Sequence, residues 1–176
     1  MVAAGFFTRS DLAILGKAAS VAELLTTQYF NLKEDEWKRH PYAVFTRKHV
    51  TSNLHEDAAF ASVIRFGGRT DRDHSQASGD NYGIVLQDPN ILLALFRSWE
   101  HDLRSLGLFV LTHELIHIVR FRKFGADFFA SADDHDKEES LVHGITREML
   151  SGMTHMAHLL SLYQDNAALL RRGNPS

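Results

Sequence analysis

The sequence has no cysteine. Disulfides, thiolate zinc sites, iron–sulfur clusters and a Cys nucleophile are therefore excluded, and any metal must be held by His and carboxylates. Basic excess is missing too: 19 Lys plus Arg stand against 22 Asp plus Glu, a formal charge of −3. A chain that neutralises phosphates normally carries the opposite balance, so nucleic acid is not an expected partner. No stretch reaches the roughly 18 uninterrupted apolar residues of a membrane span. Met1 to Phe7 lacks a basic segment ahead of an apolar run, so a cytoplasmic protein that does not engage a membrane is expected. Proline is scarce, 3 of 176 residues, and no repeat or low-complexity linker divides the chain. A single domain is the natural reading at this length.

Apolar residues make up 44% of the chain and 12 of its residues are Phe. That is enough for a domain of this size to bury roughly 70% of its unfolded surface. The unusual feature is histidine, at 11 of 176 positions.

Helical spacing of Leu12, Leu15, Ala19, Ala22 and Leu25 predicts a first helix from about Asp11 to Phe30. Residues 42–51 and 60–66, rich in Val, Ile, Phe, Tyr and Thr or bounded by turn residues, read as strands, and Ile84 to about residue 87 as a third. Between them, Gly67 to Gly83 lacks periodicity and is expected to be a long loop. Asp88-Pro89-Asn90 signals a helix over 91–99. Residues Leu106 to Val119 are apolar on nearly every face, as in a buried helix. An acid-rich loop, 127–137, then precedes a long helix from Glu138 to about Leu170, with a stripe of Leu141, Val142, Ile145, Met149, Met156 and Leu159.

Into the apolar helix the sequence sets His113-Glu114-Leu115-Ile116-His117. Residues i and i+4 share one face with Cβ atoms about 6 Å apart, so both imidazoles can converge on one ion at about 2.0–2.1 Å. Glu114 lies about 100° around the helix, where it is displaced from ligation but within reach of a water at the metal. Random order at this composition would produce the pattern in about 3% of chains. Three ionisable groups in an apolar helix also need partners to offset their desolvation.

Two His require a further ligand, and the next polar cluster is Asp133-Asp134-His135-Asp136-Lys137-Glu138-Glu139, followed by His143. Glu139, His143 and Thr146 share a helix face, whereas Glu138 falls with Leu141, Val142 and Ile145. Glu138 therefore rivals Glu139, since a carboxylate aimed into a core must be paired or must coordinate. His143 fits a partner behind the ligands, a fourth ligand, a donor to an oxyanion, or a surface position.

Together, His-Glu-Leu-Ile-His on an apolar helix and Glu139 on the next helix resemble the zincin metalloproteases, and among them the gluzincins, in a compact form. The resemblance implies a zincin-like domain over 1–176 that binds Zn2+ through His113, His117 and Glu139. Glu114 would be the general base of a metallopeptidase acting on a peptide or protein substrate. It also implies that the strand near 84–86 runs along the cleft and pairs with an extended substrate. His143 stands where that family usually carries an acid, and Lys123 occupies the position of the third His of metzincins, which excludes that subgroup.

The expected fold is α+β, a small, mostly antiparallel sheet covered by the metal helix and a long C-terminal helix, with the N-terminal helix alongside. Two other functions fit the same residues: a non-catalytic metal-binding regulatory module and a non-haem iron or di-metal protein. Arg120, close to the His113/His117 face, suits a salt bridge with the acids near 133–139. His155 and His158 suit a surface face, and His74 and Tyr82, in or beside the long loop, suit solvent-facing positions, a swing over the site as transition-state donors being the alternative.

Overall fold

A computed structural model of the chain describes residues 5–50, 59–66, 81–98 and 101–163. Helix starts follow local capping chemistry. Helix α1 (Arg9–Tyr29) opens at Thr8, whose hydroxyl accepts from the Asp11 N–H while the Asp11 carboxylate accepts from the Thr8 N–H. This capping box satisfies donors that the first turn leaves without partners. A short turn, α2 (Glu36–Arg39), leads to strand β1 (Tyr42–Thr46) and a 3-10 turn at Arg47–His49. Strands β2 (Ala61–Phe66) and β3 (Asn81–Leu86) follow, then α3 (Asp88–Arg97) with proline in its first turn. Helix α4 (Leu103–Lys123) starts at Asp102, whose carboxylate accepts from the Ser105 N–H at 2.9 Å. Helix α5 (Ala132–Leu150) starts at Ser131 in the same manner, and α6 (Ala157–Leu162) closes the described chain after a 3-10 turn at Thr154–Met156.

The fold is α+β, but the sheet is mixed rather than mostly antiparallel. Its order is β1-β3-β2, with β1 parallel and β2 antiparallel to β3. Ile84 lies opposite Val44 on one side and Val63 on the other. β3 enters the sheet between two strands that precede it in sequence, an arrangement that local pattern does not reveal. A central strand must be apolar on both faces, and Tyr82 to Leu86 are all buried. Gly83 is required there. A Cβ at this position would lie 2.9 Å from Phe45 and 3.1 Å from Phe66, whose rings close over the strand from either side. Because β3 is hydrogen-bonded along both edges, it has no open edge to pair with an extended peptide.

Several boundaries differ from expectation. β1 stops at Thr46 instead of reaching 51, and residues 51–58 lie outside the described part. Of the expected loop 67–83, residues 81–83 belong to β3 and the others lie outside the description. The expected helix over 138–170 begins six residues earlier, at Ala132, and ends at Leu150. Its continuation is the separate α6, and residues 164–170 are not described.

Helix α4 is the axis of the core. Every residue from Ser105 to Val119 is buried, as an all-round apolar helix requires. α1, α5 and strands β2 and β3 all pack on it. Gly107 permits the close approach of α1, since a Cβ there would fall 2.7 Å from Leu15 Cδ2. Among the described residues no helix is long and apolar enough to cross a membrane.

Candidate metal centre

The central helix fixes the first two groups. His113 and His117 are 0% and 1% exposed, one turn apart on α4, with their Nε2 atoms 3.1 Å from each other. α5 supplies the third: Glu139, 3% exposed, places Oε2 3.3 Å from His113 Nε2 and Oε1 3.0 Å from His117 Nε2. Burial pushes the Glu139 carboxyl upward, yet its contacts with His113 and His117 outweigh this and hold it well below the usual carboxylate range.

This donor set fits a divalent metal. Metal–ligand distances of about 2.0–2.1 Å at tetrahedral angles separate neighbouring ligand atoms by about 3.3–3.4 Å. The three separations of 3.0–3.3 Å fall close to that value. With their protons on Nδ1, both imidazoles would turn an Nε2 lone pair toward the point that the Glu139 carboxylate also faces. Borderline nitrogen and carboxylate donors with no thiolate suit zinc, and iron as well. Among the described residues, His113, His117 and Glu139 form the one group of this composition whose ligand atoms all lie within 4.8 Å of one another.

The rival carboxylate is elsewhere. Glu138 forms a two-point ion pair with Arg120, Oε1 to Nε at 2.6 Å and Oε2 to Nη2 at 2.9 Å. Glu138 was expected to share a core stripe with Leu141, but Leu141 is 46% exposed and the buried face of α5 is Glu139, Val142, His143, Thr146 and Leu150. The Arg120 salt bridge falls where the sequence suggested, and it ties α4 to α5 one residue before Glu139.

Glu114 is 1% exposed, inside the core beside the His pair in sequence. His143 is buried rather than on the surface: its ring packs edge-on against Phe109 with centroids 6.0 Å apart and stands 6.5 Å from the His113 ring. Tyr82 is not a mobile loop residue. It is 3% exposed at the start of β3 and stacks on Phe121, which stacks in turn on the His117 imidazole. This aromatic pile fixes the orientation of His117, and the Arg122 guanidinium lies 5.2 Å above the Tyr82 ring. His155 and His158 are exposed, as expected, while His74 lies outside the described residues.

One neighbour of the site went unassigned in the sequence. His135, read there only as part of an acidic loop, is in the first turn of α5, with Nε2 3.8 Å from Glu139 Oε1. Its four-residue offset from Glu139 was the available signal.

No family model, no curated protein and no solved structure matches this chain. The likeness to zincins therefore rests on the residues of the site.

Proposed function

We propose that this chain is a zinc-dependent hydrolase, of the peptidase type, with His113, His117 and Glu139 as metal ligands and Glu114 as general base. The observation that carries the reading is the convergence of those three side chains from two helices at the separations of a tetrahedral ligand set. Bound there, zinc supplies Lewis-acid polarisation of a carbonyl and makes a water acidic near neutral pH. The chain's own residues supply the rest. The α4 helix holds both imidazoles on one face, and the Tyr82–Phe121 stack fixes the plane of His117. Glu139 brings the negative charge that offsets the ion within a buried site. Glu114, displaced around the helix from both His, accepts the proton of the attacking water and returns it to the leaving amine of a peptide or protein substrate.

A second reading has its own support. All three ligands are 3% exposed or less, as in a closed structural site, which favours a metal-binding regulatory module without hydrolysis. Glu114→Gln separates the two. A hydrolase keeps its zinc and loses cleavage of a peptide library by a factor of about 10²–10⁴, the usual contribution of a general base. Full cleavage by the variant would refute the mechanism. A native protein that holds zinc but cleaves no peptide belongs to the second class.

A further inference from the structure

Helix α5 carries His135, Glu139 and His143 at successive four-residue steps, so all three lie along one side of the helix. α4 and α5 run antiparallel across the site. The His143 ring neighbours His113, Glu139 bridges both His, and Glu138 meets Arg120 nearer the C-terminal end of α4. His135 extends this row past Glu139. It approaches Oε1, the same carboxylate oxygen that faces His117.

Three protein ligands leave a tetrahedral ion one position short. On the metal-site reading above, we propose that His135 is the fourth protein ligand, and the displaceable one. Its Nε2 is 3.8 Å from Glu139 Oε1, while it lies outside the 4.8 Å cluster of the three inner ligand atoms, so the ring must swing inward as a whole to join a tetrahedral set. The side chain is 24% exposed, against 4% or less for the three inner side chains. A part-exposed side chain in the first turn of a helix can close that gap by a change of side-chain torsion, without repacking a core. His143 is the rival for this position, but its ring is packed edge-on against Phe109, and its centroid is 6.5 Å from that of His113, where the inner His pair is 4.8 Å apart. His135 also reconciles the burial of the site with its chemistry. With His135 in place the ion has the closed shell of a structural site, and with His135 withdrawn one position opens on the solvent side of α5.

The test uses the full chain loaded with zinc alone, with imidazole ligands counted by X-ray absorption and affinity measured by competition with a chromophoric chelator. Native protein should show three imidazoles, His135→Ala two, and His143→Ala three. Affinity should fall in His135→Ala by at least about 10-fold, the cost that losing even a residue behind a ligand carries. His135→Gln, which keeps a polar side chain at this position, should also show two, with unchanged far-ultraviolet circular dichroism. Two imidazoles in the native protein, or undiminished affinity in His135→Ala, would overturn the assignment and leave the three-ligand site standing. Loss of the third imidazole in His143→Ala would overturn it in favour of His143. Native protein that binds no zinc would remove the metal site and this inference together.

Discussion

Adding zinc to metal-free protein should raise its unfolding temperature substantially, and the size of the rise follows from where the ligands sit. His113 and Glu139 are 26 residues apart in the chain and meet only when α4 and α5 pack. The unfolded chain has no preformed site, so zinc stabilises the folded state by mass action, about 2.7 kcal/mol at one hundred times the dissociation constant and about 4.1 at one thousand times. A chain of 176 residues has an unfolding entropy of about 0.37 kcal/mol/K at its midpoint. The expected rises are therefore about 7 °C and about 11 °C. The measurement is a circular dichroism melt of untagged protein, first stripped with a chelator and then titrated with zinc. The control is His113→Ala combined with His117→Ala, which removes both imidazoles and should abolish the shift. An unchanged midpoint in the native protein would refute the reasoning. An equal rise in the double variant would do the same, since the metal would then bind elsewhere.

Two further outcomes test the packing that holds the site. Gly107→Val forces a side chain into Leu15, whose Cδ2 would be 2.7 Å from the new Cβ; overpacking of this kind costs about 1–3 kcal/mol, a fall of about 3–8 °C in the melt. An undisturbed midpoint would mean that α1 does not lie on α4 at this point. Arg120→Ala leaves Glu138, only 17% exposed, without its guanidinium, which costs about 1.5–3 kcal/mol for a lost charged hydrogen bond. Zinc affinity should fall with it because Glu139 is the next residue; Arg120→Lys should restore only part of both, since an ammonium cannot form the two-point contact. An Arg120→Lys variant that matches the native protein in both would show that the fork has no role.

The central helix and its His pair were legible because their signals are local. A run that is apolar on all sides has to be buried, and two His at i and i+4 within it must face the same way whatever surrounds them. Helix starts were legible in principle as well. Ser131 and Asp134, which cap α5, carry the Ser-x-x-Asp pattern in plain sequence, as Thr8 and Asp11 do for α1. Reading 127–137 as one acidic loop hides that cap and moves the start of the helix by six residues. The sheet order was not legible. β1 and β3 pair in parallel across an intervening strand, and nothing in either segment specifies which neighbour it takes.

The misplaced phase of α5 has a different origin, tied to the site itself. Hydrophobic periodicity assumes that the buried face is the apolar one, and on this reading Leu141, Val142 and Ile145 set the phase and drew Glu138 inward. In the structure the buried face holds Glu139, His143 and Thr146 beside Val142 and Leu150, while Leu141 is exposed. Three polar side chains occupy core positions, so the stripe appears rotated by about one residue, roughly 100° around the helix. Such a helix is poorly explained by packing alone, because burying a carboxylate, an imidazole and a hydroxyl costs several kcal/mol unless each is paired or coordinated. Breaks in a local rule of this kind gather at functional sites. Here the compensation for Glu139 and the α4 His pair is mutual, at 3.0–3.3 Å, and a metal ion at that point of convergence would satisfy all three at once. The polarity that spoiled the periodicity of α5 is thus the same feature that argues for the site.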